Sequence, residues 1–220
     1  MKASNTISIA ELSFFADLNA GSVQAMQEIA REYRLNAGEI LFNQEDAAHA
    51  FYIVAQGGVR LVEHTSEGKD MNLKIYGPND VFGLLAISGR FSHQARIQAA
   101  EYSELVAFDA ERTRQIMQTH PGIALRVIDE LTAHIHHAHN RIREMAVEKT
   151  EQRLARALLH FCKKFGASST GIMSANFSQQ DIAEFTGTTV ETVNRIFKKW
   201  ESQHLVQVRR LSITIRDHNR

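Results

Sequence analysis

Apolar residues change their spacing several times along this chain, and each change marks a different kind of element. Between residues 7 and 35, Val23, Met26, Ala30 and Tyr33 recur on one helical face and Ser22 is placed as a cap, which predicts a mostly helical start. From Leu35 onward the apolar runs shorten: Glu39–Phe42, Phe51–Val54, Val59–Val62, Met71–Ile75, Arg96–Ala99 and Leu105–Phe108 read as strands. Gly38, Gly57, Gly58, Gly68, Gly77 and Gly83 fall between or beside them as corners. Short strands at such regular spacing predict an antiparallel sandwich or barrel. After His120-Pro121-Gly122 the period becomes helical again, and Ile128, Leu131, Ile135, Ala138, Ile142 and Met145 alternate at intervals of three and four. That is a heptad seam, and so regular a seam predicts burial against a second copy of the chain. Beyond residues 146–150, which read as the hinge between the two halves, Leu154, Leu158, Phe161 and Phe165 mark one more helix, ended at Gly166.

The segment from Phe177 to Gln203 reads as two short helices joined by a tight turn. Ser178 before Asp181, and Thr188 before Glu191, supply a capping side chain ahead of each helix. Gly187 stands at the turn, Ala183 is small where the helices must cross, and Ile182, Val193, Ile196 and Phe197 complete the buried face. This helix-turn-helix pattern would lay the second helix, Thr189 to Ser202, in a DNA major groove. Residues 206–216 then alternate as a two-stranded wing, making the C-terminal part a winged helix.

Composition adds one point that the totals conceal. Lys plus Arg equal Asp plus Glu at 25 each, yet residues 149–220 hold 12 basic against 6 acidic residues and the remainder 13 against 19. The basic surplus coincides with the helix-turn-helix, as phosphate binding requires. The lone Cys162 rules out a disulfide framework and an iron–sulfur cluster held by several thiolates, and its place beside Phe161 reads as core packing. No apolar run is long enough to span a membrane and the N-terminus has no signal pattern, so a soluble, cytoplasmic protein without membrane partners is expected.

At this point the chain resembles the Crp/Fnr superfamily of bacterial transcription regulators over nearly its whole length. The resemblance lies in Ala37-Gly38-Glu39-Ile40-Leu41 with Gln44-Glu45-Asp46, in Phe51–Val54 and Gly58–Leu61, in the heptad helix, in Thr150, Arg153 and Ala155, and in Glu191-Thr192-Val193 with Arg195. It implies an α+β chain: a sensor β-barrel of the cyclic-nucleotide-binding type (a double-stranded β-helix) over 1–120, a dimerisation helix over 121–147 and a winged helix-turn-helix over 148–220. It also implies a non-enzymatic homodimer on double-stranded DNA, with RNA polymerase as a further partner if the protein activates. Glu191 and Arg195 would read bases, and their chemistry agrees: a carboxylate accepts from cytosine N4 and an arginine forks onto guanine O6 and N7. Val190 stands where the best-known cyclic-AMP-responsive member has an arginine, and Asn194 where the oxygen- and nitrogen-oxide-responsive branch commonly has serine. Both join the base-contact row, and a TTGAT-type half-site is expected over a TGTGA type. Phosphate contacts are expected from Thr188 and Thr189 at the helix start and from Gln179, Lys198, Lys199, Arg209 and Arg210.

The sensor half is less explicit. By the resemblance, a Gly-Glu pair and an Arg-Ser pair hold cyclic AMP in members that bind it. Here the matching stretches are Gly83-Leu84 and His93-Gln94. Losing a fixed guanidinium from a buried phosphate site removes its strongest contact and argues against cyclic AMP. A haem or gas, a small organic ligand, or no ligand stay open, with Gly83, Leu84, His93, Gln94, Ala138 and His139 as the candidate effector pocket. His134, His136, His137 and His139 crowd the heptad helix, and solvated flank positions are a simpler reading than a metal site. Two rivals of other classes fit the residues less well. A cupin-type metalloenzyme would need a His-x-His run on the strands, which residues 35–108 lack; a regulatory module acting on a protein partner would leave the helix-turn-helix idle.

Overall fold

The computed structural model describes residues 7–64, 70–165, 173–175, 178–209 and 212–216. It divides into two compact units, one of Met1–Lys69 with Lys74–His137 and the other of Asp70–Leu73 with Ala138–Arg220.

The first unit opens with 3-10 turns at Ile9–Glu11 and Ser13–Phe15 and a short helix α1 (Ala20–Gln27). Strands β1 (Ala30–Leu35), β2 (Ile40–Phe42), β3 (Ala50–Gln56), β4 (Val59–His64), β5 (Asp70–Tyr76) and β6 (Val81–Phe82) follow. A 3-10 turn at Leu84–Ser88, strands β7 (Arg96–Ala99) and β8 (Ser103–Asp109), helix α2 (Ala110–Thr119) and the part of helix α3 (Pro121–Val147) up to His137 complete the succession. The strands form two sheets, ordered β1-β8-β3-β6 and β2-β7-β4-β5. Period-two alternation explains why β3 and β8 read as nearly continuous apolar runs, because both of their faces are covered. Phe51 and Ile53 of β3, with Val106 and Phe108 of β8, join Phe14, Phe15, Met26, Ile123 and Val127 in a core under the helices. Val54 and Leu105, on the other face, meet Val59, Tyr76, Ile97 and Ala99 between the sheets. Arg126 of α3 ties into this unit by donating from Nε to the Phe14 carbonyl at 3.0 Å.

The helical start expected over residues 7–35 is corrected. Only Ala20–Gln27 is α-helical, while Ala30 and Tyr33 belong to β1, paired in register with β8 from Ala30↔Phe108 to Leu35↔Ser103. The cap is Asn19, whose Oδ1 accepts from the Ser22 amide at 2.9 Å, so Ser22 lies inside the first turn. β1 buries only Leu35 fully, so no local alternation announces it, and its strand state comes from a partner some seventy positions away. The Gly57–Gly58 corner does need its first glycine. Gly57 has φ +78°, and a Cβ there would stand 2.2 Å from the Tyr102 carbonyl oxygen.

Helix α3 presents a long apolar row to the outside. Ile128, Ile135 and Ile142 are 56%, 58% and 65% exposed, and Leu125 and Met145 are exposed as well. Leu131, also expected on the seam, is half-buried and packs on the core under the helices. Leu125, three residues before Ile128, extends the exposed row.

The second unit holds α4 (Thr150–Phe165), β9 (Met173–Ala175), α5 (Gln179–Thr186), α6 (Val190–Ser202), β10 (Val206–Arg209) and β11 (Ser212–Ile215). Leu154, Leu158, Phe161 and Cys162 are buried on α4; Gly166 and Gly68 lie outside the described residues. The wing is larger than its sequence suggests, since β9 adds a third strand in the antiparallel order β10-β11-β9. Ile213↔Ala175 and Ile215↔Met173 form that pairing, which is again non-local. Among the described residues no helix is long and apolar enough to cross a membrane.

Candidate nucleic-acid interface

The interface starts from two capped helices. Ser178 and Asp181 make a complete capping box for α5, with the Asp181 amide 3.2 Å from Ser178 Oγ and the Ser178 amide 2.9 Å from Asp181 Oδ2. At its other end Gly187 takes φ +64°. The Thr188 amide then bonds the Ala183 carbonyl at 3.0 Å and the Gly187 amide bonds that of Glu184 at 3.3 Å, which closes the helix and turns the chain into α6. The expected α6 cap shifts by one residue. Thr189, not Thr188, is the N-cap, accepting from the Thr192 amide at 3.2 Å, and the two hydroxyls lie 3.0 Å apart. Thr192 therefore takes the position that sequence gave to Glu191, and the Glu191 carboxylate has no capping duty.

All five apolar positions expected to be buried are so: Ile182, Ala183, Val193, Ile196 and Phe197. Trp200 joins them, so α6 buries one face and turns out the opposite one. On that outer face Val190, Glu191, Asn194, Arg195 and Lys198 recur at intervals of one and three. Glu191, Arg195 and Lys198 are exposed, Val190 is 36% exposed and Asn194 is half-buried. Gln179, Asn194, Lys198 and Arg209 meet around one cleft. Thr188 and Thr189 lie at the amide end of α6, and Arg210 lies outside the described residues. Lys199 differs from Lys198 in already having a partner, with its ammonium 2.9 Å from Glu151 of α4.

Sequence reasoning assigned no role to the residues that hold α6 in place. Glu151 accepts from Trp200 Nε1 at 2.9 Å as well as from Lys199, and these bonds hold its carboxyl below the usual carboxylate range. Arg153 spans a wider gap. Its Nε donates to the Thr186 carbonyl at 3.3 Å and its Nη1 to the Glu148 carbonyl at 2.9 Å. The guanidinium fork thus ties the end of α5 to the segment joining α3 and α4. Arg156 adds ion pairs to Glu144 at 3.3 Å and Glu148 at 2.5 Å. The only sequence signal for any of these was Arg153 within the family-like Thr150/Arg153/Ala155 pattern.

The candidate effector residues do not all share one environment. Gly83 begins the Leu84–Ser88 turn at φ +77°. Leu84 is buried in the core under the helices, with Phe14 and Phe51. His93 is 8% exposed and stacks on Phe42, ring centroids 3.5 Å apart and planes 9° from parallel. Phe42 continues into an aromatic series through Tyr52, Phe82 and Tyr76 at centroid distances of 5.7, 5.2 and 5.1 Å. Burial keeps these groups neutral: it lowers the pKa of His93, pushes the Tyr52 hydroxyl up to about 12 and raises that of Tyr76. Gln94 bonds the Ser92 carbonyl at 3.4 Å. Ala138 and His139 are exposed on α3 in the other unit, with His136 and His137 also exposed, whereas His134 turns edge-on to Tyr76 at 6.3 Å.

Comparison with known proteins places these units in a family. Residues 32–120 match the cyclic nucleotide-binding domain and residues 152–220 the Crp-like helix-turn-helix domain. The CRP-like cAMP-activated global transcriptional regulator of Mycobacterium tuberculosis is 21% identical, over 96% of each chain. The transcriptional activator protein Anr of Pseudomonas protegens is 24% identical over 96% of this chain and 87% of its own. The structure of FixK2 from Bradyrhizobium japonicum shares the fold at a TM-score of 0.76 and 22% identity, covering 86% of this chain and 93% of that one. With a barrel, a long helix and a capped helix-turn-helix in that order, and both domain matches on them, the chain belongs to the Crp/Fnr superfamily of DNA-binding transcription regulators, which are not enzymes.

Proposed function

We propose that the protein works in the cytoplasm as a homodimer that reads a palindromic operator through Val190, Glu191, Asn194 and Arg195, with flanking phosphates held by Gln179, Thr188, Thr189, Lys198 and the wing. The observation that carries this reading is the outward row on α6, where an exposed acid and an exposed arginine stand one turn apart on a helix whose opposite face is buried. A carboxylate and a guanidinium so spaced suit a C·G and a G·C pair. The uncovered Ile128, Ile135 and Ile142 row supplies the dimer seam, and two copies of α6 would then enter successive major grooves about 34 Å apart. Lys199 contributes less than Lys198, because Glu151 already neutralises it. RNA polymerase is a partner if the protein activates transcription. Gel shifts on palindromic TTGAT-type and TGTGA-type duplexes test the reading. Tighter, salt-sensitive binding to the first supports it, and equal binding to both, or to unrelated DNA, refutes it.

The effector, in the same reading, is a small organic molecule or a haem rather than a cyclic nucleotide. The neutral aromatic series around Tyr52 and His93 favours an uncharged guest over a phosphate. Calorimetry with cyclic AMP and a visible spectrum with added haem distinguish the choices. Saturable micromolar cyclic-AMP binding would overturn this part alone.

A further inference from the structure

We propose that the cleft between the start of α5, the flank of α6 and the wing strand β10 seats one phosphodiester of the DNA backbone, that Asn194 belongs to this seat rather than to the base-reading row, and that Glu201 is the positioning residue that holds its far wall. The inference rests on the DNA-binding reading above and reassigns one member of its base row. The cleft has a volume of about 270 Å³ and is lined by Gln179, Asn194, Lys198, Glu201, Val208 and Arg209. At about 30 Å³ per water it has room for a phosphate group that keeps several waters. Neither Glu191 nor Arg195 lines it, and both are exposed, whereas Asn194 is half-buried within it. The helix therefore divides its outer face lengthwise. An acid and an arginine face the groove floor, and an amide and a lysine one turn apart face the backbone. Carboxamide, ammonium and guanidinium groups are all donors, which fits a ligand whose available atoms are acceptors.

Glu201 is the apparent misfit, since a carboxylate beside an anion would repel it. Its task is structural. Strand β10 is the edge of its sheet, and the amide of Val208 faces away from β11. Glu201 Oε1 accepts from that amide at 2.9 Å, fastening the wing to the recognition helix. This contact carries Arg209, the next residue, to the same cleft as Lys198. It adds to the backbone bond from the Leu205 amide to the Trp200 carbonyl at 3.0 Å, which holds the start of the strand to the helix.

The test is a salt titration of operator binding by the full-length dimer, run on a panel of duplexes with each half-site base pair varied. Lys198→Ala and Arg209→Ala should each lower the slope of log K against log salt by about 1.8, which is about 0.9 for each of the two half-sites. Asn194→Ala should weaken every duplex by a similar factor, about tenfold per half-site and so about a hundredfold for the dimer, and leave their ranking unchanged. Glu201→Gln keeps an acceptor for the Val208 amide and should bind at least as tightly as wild type. Glu201→Ala should remove most of the effect of a subsequent Arg209→Ala, so the pair is non-additive. A changed ranking in Asn194→Ala overturns the seat, as does strict additivity of Glu201→Ala with Arg209→Ala while thermal unfolding stays unaltered. Glu191→Ala and Arg195→Ala in the same panel separate the two readings. If they leave the ranking intact the base row fails, whereas a new ranking in Asn194→Ala alone sinks only the seat.

Discussion

Thr189 and Glu191 share between them what one pair was expected to do together. Sequence put Thr188 and Glu191 in a capping box, which would have mixed a folding role with a base-reading one. With Thr189 capping through Thr192, the exposed Glu191 carboxylate carries only the second. Glu191→Ala should therefore change stability by less than about 0.5 kcal/mol in thermal or urea unfolding, while relaxing half-site preference. His93 carries a pH signature. Its ring is buried against Phe42, with Asp46 and His49 as the charged or titratable neighbours, and burial holds its folded-state pKa below the usual 6.5 or so. The unfolded chain then binds the extra proton first, so the contribution is full above that value and fades as pH falls through it. Unfolding followed from pH 7.5 to 5 should show the sensor unit losing stability, and His93→Phe, which preserves the stack, should flatten the trend.

At the scale of elements, the helix-turn-helix was legible because its signals are local: a capping box, a glycine turn and helical spacing all lie within one stretch of chain. The strands with apolar runs were legible for the same reason. β1, β6 and β9 were not, since β1 is mostly exposed, β6 is Val81–Phe82 alone, and β9 gains its strand state from pairing with β11. Arg153 is the element-scale feature with the clearest consequence. It joins the end of α5 to the α3–α4 connection through the carbonyls of Thr186 and Glu148. Arg153→Ala should destabilise the C-terminal unit by about 2 kcal/mol, the range for bonds to a charged donor, and Arg153→Lys should not restore it because an ammonium lacks the fork. Equal melting of wild type and Arg153→Lys would remove the clamp from the account.

For the whole molecule, the charge asymmetry and the uncovered α3 row point to the same assembly. The C-terminal stretch carries the basic surplus that DNA needs, and an isoleucine row this exposed is costly unless something covers it. Ile135→Lys should shift the protein from dimer to monomer in sedimentation at micromolar concentration and cost most of its operator affinity, because a lone recognition helix loses its second half-site. A dimer that survives Ile135→Lys unchanged would assign the interface elsewhere. The sensor's chemical identity was the least legible property, since a substitution such as Leu84 or His93 removes an expected contact without naming a replacement ligand. The most direct test of the central claim is operator selection from a randomised half-site pool by wild type and Arg195→Ala. The account predicts that the variant loses preference at one G·C pair and at least tenfold in affinity, and an identical selected sequence bound with identical affinity would contradict it.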